Sequence, residues 1–157
     1  MKRVIMLCAV MGLLITSCGK KDNTTTDEVN NTAPTVEEEV VVSDDPMQNK
    51  GIGPVKEVDL PEEIDPEMAA KGQEIYEAKC TACHKPTEKF IGPAPKDILQ
   101  RRTPEWVMNM ILNPVEMTQK DPIAQELLME ANGAPMANQN LTEEEARQVL
   151  EYFRTIN

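Results

Sequence analysis

The run Cys80-Thr81-Ala82-Cys83-His84 constrains this chain more than any other stretch. On a helical turn, residues i, i+3 and i+4 share one face, so two thiols and one imidazole point to the same side. His84 is the only histidine in 157 residues. That excludes a paired-His metal site, bis-His haem ligation and any two-His catalytic arrangement, because each needs a second imidazole. A zinc site wants four N or S ligands, and the segment offers three. A thioredoxin-type dithiol wants a preceding strand and a βαβ setting, for which the surrounding sequence has no signals.

The N-terminus accounts for the other two of the four cysteines. Met1-Lys2-Arg3 is basic, and Val4 to Ile15 is an apolar run too short for a permanent membrane span, the pattern of an export signal. Leu14-Ile15-Thr16-Ser17-Cys18 resembles the lipobox of bacterial lipoproteins. The resemblance implies a signal over 1–17, cleavage before Cys18 and a lipid on its thiol. It places the protein in the bacterial cell envelope, exported and membrane-anchored, facing the periplasm or the cell exterior. Cys8 leaves with the signal, so Cys80 and Cys83 remain for chemistry. Residues 18–64 read as a flexible tether. Residues 19–66 hold four Lys against thirteen Asp and Glu, with Pro and Gly scattered through them and no sustained helical period. Of the net charge of −11, most sits there. That balance argues against a nucleic-acid partner, which takes a surplus of Lys and Arg.

From residue 65 onward helix signals are frequent. Asp65-Pro66, Thr103-Pro104 and Asp121-Pro122 each place a capping side chain before a Pro at the first helical position. Thr142-Glu143-Glu144-Glu145 is a capping-box pattern. Asn113-Pro114 and Asn132-Gly133 are stop signals. The expected fold is all-α, with about four helices over 66–79, 104–112, 122–132 and 143–155 in a domain spanning 65–157. Aromatic residues make up only 3% of the chain, so a bulky apolar body is expected from outside the polypeptide.

One covalent haem fits that gap and the pentapeptide together: two thiols add to two vinyl groups, and His84 reaches the iron. A free redox dithiol is the open alternative. Trp106, Arg101 and Arg102 are candidates to hold haem propionates, since a buried carboxylate needs donors or a cation; core packing for Trp106 and solvation for the arginines are the competing readings.

Residues 66–157 resemble class I c-type cytochromes in motif order. Gly72, Tyr76 and Cys80 stand four apart, Ile91-Gly92-Pro93 follows the pentapeptide, and Gly133-Ala134-Pro135-Met136 precedes the last helix with Val149 and Tyr152. The resemblance implies a small helical bundle around one haem c. It implies a close crossing of first and last helices at Gly72, a Pro93 carbonyl accepting from the axial His84, and Met136 as the sixth ligand. Met117, expected in a loop after Pro114, is the rival ligand; Met108, Met110 and Met129 read as helical core residues. Tyr76 and Tyr152 read as packing residues.

The function implied is a membrane-tethered monohaem cytochrome, a one-electron carrier rather than an enzyme. It would pass electrons between a respiratory complex and a terminal oxidase or exported reductase, with nitrous-oxide reductase as one candidate. Redox proteins are the expected partners, with no small-molecule substrate and a monomeric domain. A haem-based sensor or a peroxidase-like protein with a labile sixth ligand is the alternative. Residues 79–102 carry a net charge of +4 and residues 103–157 a net −6, so Lys85 and Lys89 are expected to steer an acidic partner.

Overall fold

The structure is a computed structural model that describes residues 42–156. The signal and Cys18 lie outside the described residues. Helices α1 (Pro66–Lys79), α2 (Pro104–Leu112), α3 (Pro114–Lys120), α4 (Pro122–Glu130) and α5 (Glu143–Arg154), with a 3₁₀ turn at Ile98–Gln100, make up the regular structure; no strand occurs among the described residues. Among those residues no helix is long and apolar enough to cross a membrane.

The caps work as their chemistry requires. Asp65 accepts from the backbone N–H of Glu67 and Met68, Thr103 from Trp106, and Asp121 from Ala124. Thr142 and Glu145 form the reciprocal capping box of α5. Helix α4 stops at Glu130, slightly before the expected 132. Asn132 takes a left-handed φ of 55°, Asn132 N–H donates to Met129 O, and Gly133 N–H donates to Leu128 O. This Schellman closure satisfies the last carbonyls.

One expectation fails at Asn113-Pro114. The pair does end α2, but Pro114 also begins α3, and Met117 is helical rather than in a loop. A proline at the first helical position is as much a start as a stop, and seven residues are too few for periodicity to reveal.

The crossing of α1 and α5 is set by Gly72. A β-carbon there would collide with the backbone carbonyl of Gln148 and lie 2.9 Å from Val149 N. Two helix backbones touch at this point because no side chain separates them. One turn on, Tyr76 is buried, with its ring 5.4 Å from Tyr152 and edge-on to Phe153 at 5.7 Å. Buried Glu151 joins the same helices: it accepts from Asp65 N–H at 2.9 Å and from Arg154 at 2.7 Å, and it pairs with Arg147.

Part of the expected flexible tether is ordered. Residues 49–55 form a strap packed on α2 and α3, where Asn49 and Val55 are buried. Asn109 Nδ2 donates to the carbonyls of Lys50 and Val55, both at 2.9 Å, and its Oδ1 accepts from Val55 N–H. Asn113 Nδ2 donates to Ile52 O, and Met117 Sδ accepts from Ile52 N–H at 3.0 Å. The strap lacks helical period because its backbone is held by side chains distant in sequence, which a local pattern cannot register. Val55 joins Trp106, Met108, Ile111, Met117, Ala124, Val149 and Leu150 in the core.

Candidate functional site

Helix α1 hands its last turn directly to the pentapeptide. Cys80 N–H donates to Tyr76 O, and the N–H groups of Cys83 and His84 donate to Cys80 O at 3.1 and 2.9 Å. Both thiols and the imidazole therefore stay on one continuous turn, as the spacing predicts. Cys80 is half-buried, Cys83 is exposed, and they are not joined as a disulfide. Burial pushes the Cys80 thiol up, Cys83 adds to the effect, and Lys79 partly opposes it. That is the reverse of what an activated dithiol needs.

His84 is held from behind. Its Nδ1 lies 2.8 Å from Pro93 O, and because a carbonyl only accepts, Nδ1 carries the hydrogen and Nε2 is the nitrogen left to bind a metal. Gly92 lies against the ring: a β-carbon there would collide with Cε1 and sit 2.8 Å from Nδ1. Gly92 N–H in turn donates to Cys83 O at 2.9 Å, closing the loop on the pentapeptide.

These residues form one wall of a largely apolar cleft with about 1050 Å³ of empty volume, its mouth included. Trp106 and Met110 from α2, Ala124 and Leu127 from α4, and Pro135 and Met136 from the following loop line the rest. The expected rival ligand lies away from this cleft. Met117 is fully buried with its sulfur engaged by Ile52 N–H, and it does not line the cleft. Met108 is core as expected, Met129 is exposed, and Met110 faces the cleft, a placement that its four-residue spacing from Trp106 on one helical face was sufficient to suggest.

The three propionate candidates separate. Trp106 Nε1 donates to Asp121 Oδ1 at 3.2 Å, so its N–H is spent inside the protein, contrary to expectation; the ring itself lines the cleft. Arg101 Nη2 donates to Ala94 O and Lys96 O at 3.1 and 2.7 Å. Arg102 lies over the Trp106 ring at 5.3 Å, lines the cleft, and has a buried Nε with no partner. Burial works against its charge, and Arg101 adds to that. Of the three, only Arg102 has a buried donor left for an incoming carboxylate. Of the expected steering lysines, Lys89 pairs with Glu130 at 3.3 Å and Lys85 lies 5.1 Å from the Phe90 ring. Sequence reasoning missed the buried Asp121 acceptor, since Asp before Pro reads as a cap and its further partners are distant in sequence.

The cleft fits a haem: apolar walls, two thiols and an oriented imidazole on one side, a thioether in the facing loop and an unpartnered arginine N–H. A family model for cytochrome c matches residues 69–157. No curated protein matches the chain. Cytochrome c from Rhodothermus marinus is similar at 45% identity and a TM-score of 0.64, over 66% of this chain and 89% of that one. An engineered cytochrome c from the same organism is similar at 44% identity and a TM-score of 0.64, over 66% and 90%. The same engineered form bound to a carbene intermediate is similar at 45% identity and a TM-score of 0.61, over 66% and 89%. With more than half its length matched by that family and its cysteines and histidine in the haem-attachment spacing, this chain belongs to the cytochrome c family, the electron carriers that hold haem c covalently.

Proposed function

We propose that the protein is a lipid-anchored monohaem electron carrier with His84 and Met136 as axial ligands and Cys80 and Cys83 as the covalent attachment points. The observation that carries this reading is the pairing within one apolar cleft of His84, with Nδ1 committed to Pro93, and the loop thioether of Met136. When bound, the haem supplies a one-electron couple. The polypeptide does the rest. Pro93 holds the imidazole in one tautomer, Gly92 keeps space beside the ring, and the apolar walls limit water around the redox centre. A thioether opposite an imidazole favours the reduced state and raises the potential relative to bis-His ligation. His84 and Met136 would both be taken up in holding the haem, so no small-molecule substrate is part of this reading.

The export signal over 1–17, the lipid on Cys18 and the acidic residues before the strap place the domain outside a bacterial membrane, in reach of redox proteins. Quinol-oxidising complexes are the proposed donors, and a terminal oxidase or an exported reductase, nitrous-oxide reductase among them, the proposed acceptor. The test is one set of spectra on the purified chain: a pyridine adduct taken after denaturation, and the ferric near-infrared band of thioether ligation. Haem that extracts into acidified organic solvent would end the covalent reading, and a missing near-infrared band would end the Met136 assignment.

A further inference from the structure

Behind the cleft wall lies a buried anion that the haem reading does not use. Asp121 is fully buried, and all of its partners are donors: Ala124 N–H at 2.8 Å and Trp106 Nε1 at 3.2 Å to Oδ1, and Asn49 Nδ2 at 2.7 Å to Oδ2. Donors at both oxygens are the pattern an ionised carboxylate satisfies. Capping α4 requires only the bond from Ala124. Of the other two, one comes from the strap and one from the cleft wall. Asn49 is itself pinned: its carbonyl accepts from Thr103 Oγ1 at 2.6 Å, and its Oδ1 accepts from Gly51 N–H at 2.6 Å. No ion pair to Asp121 is found among the described residues; hydrogen bonds offset its charge at contact distance, and the Arg102 guanidinium attracts it from farther away.

We propose that Asp121 is a positioning residue for the haem: it fixes the Trp106 indole in the cleft wall and lowers the reduction potential, and Asn49 of the strap sets how strongly it does so. This rests on the haem reading above. Reduction adds one electron and lowers the charge of the redox centre by one. A buried anion one side chain behind the wall therefore favours the oxidised state, and in a low-dielectric interior its effect is weakly screened. The N–H donated by Asn49 partly neutralises that anion. The strap is thereby coupled to the potential through two hydrogen bonds and the ring of Trp106, which also carries the Arg102 guanidinium on its face.

Asp121→Asn keeps the cap on Ala124 and the bond from Trp106 while removing the charge; its amide nitrogen then replaces the oxygen that accepts from Asn49 Nδ2, so the bond to the strap is lost with the charge. In the haem-loaded full chain the potential is expected to rise in Asp121→Asn, with an unchanged near-infrared band. It is expected to fall in Asn49→Ala, where the carboxylate loses its neutralising donor while the cap stays in place. The shifts of Asp121→Asn and Trp106→Phe are expected to be non-additive in the double variant, because they act through one bond. A lower melting temperature with an unmoved potential in Asp121→Asn would reduce Asp121 to a helix cap and overturn the proposal. Should that variant fail to fold, an unmoved potential in Asn49→Ala overturns it equally. A wild-type chain without covalent haem would instead remove the haem reading itself.

Discussion

Met136 and Met117 are the same residue type in neighbouring segments, and their surroundings separate them. Met117 is enclosed by the strap, with Gly51 so close that a β-carbon there would lie 2.9 Å from its sulfur, whereas Met136 is partly buried and lines the cleft. Met136→Ala is expected to abolish the near-infrared band and lower the potential while leaving the haem attached. Met117→Ala is expected to leave the spectrum intact and to destabilise the fold by about 2–5 kcal/mol, the cost of emptying a fully buried thioether site. Absorption spectra and thermal melts of the two variants check both statements, and Met110→Ala, expected to keep the band, tests the second thioether on the cleft wall. The haem pentapeptide was legible in the sequence because its meaning lies in spacing alone. The burial of Met117 was not, because it depends on Ile52, far along the chain.

At the scale of elements, the contact between α1 and α5 organises the bundle. Gly72→Ala is expected to cost about 3 kcal/mol or more, because the added methyl meets a backbone carbonyl rather than a side chain able to move aside. Chemical denaturation measures it, and a loss under 1 kcal/mol would mean that the helices slide apart without penalty. Glu151 adds a pH-dependent bond to the same contact. Burial alone would raise its carboxyl, but hydrogen bonds from Arg147, the Asp65 N–H and Arg154 outweigh burial and hold it below its ordinary value of 4.5. A carboxyl depressed in the folded state contributes stability that is complete above the unfolded value and is lost as pH falls through the folded one. Melting temperature is therefore expected to decline below about pH 4.5, and Glu151→Gln to be less stable at pH 7 with a flatter acid limb. The helix starts were readable from Pro and its capping neighbour. Helix α3 was not, because a single Pro both closed one helix and opened the next.

For the whole molecule, the cleft divides folding between polypeptide and cofactor. With few aromatic residues and an apolar cleft at its centre, the chain without haem has little area of its own to bury. Cys80→Ala with Cys83→Ala is expected to yield a poorly helical, protease-sensitive chain, followed by circular dichroism and limited proteolysis. Native helicity and a cooperative melt in that variant would show the bundle to be self-sufficient. The proposed anchor is separable from the domain. Cys18→Ser is expected to move the protein into the soluble exported fraction without altering its haem spectrum, as read by fractionation and absorption.

Fold class, four of the five helix starts and the thiol and imidazole triplet were all present in local spacing, because caps, helical faces and attachment turns are short-range chemistry; the Gly72 crossing was implied by the resemblance to class I c-type cytochromes. The strap, the burial of Met117 and the diversion of the Trp106 N–H to Asp121 came only with the tertiary structure. Each depends on hydrogen bonds between residues distant in the chain: Asn49 with Asp121, Val55 with Asn109, Ile52 with Met117. A polar, Gly-containing and Pro-containing segment reads as a tether when its partners are out of view. It becomes part of the core once Thr103, Asn109, Asn113, Met117 and Asp121 satisfy the backbone and side-chain groups it would otherwise leave to water.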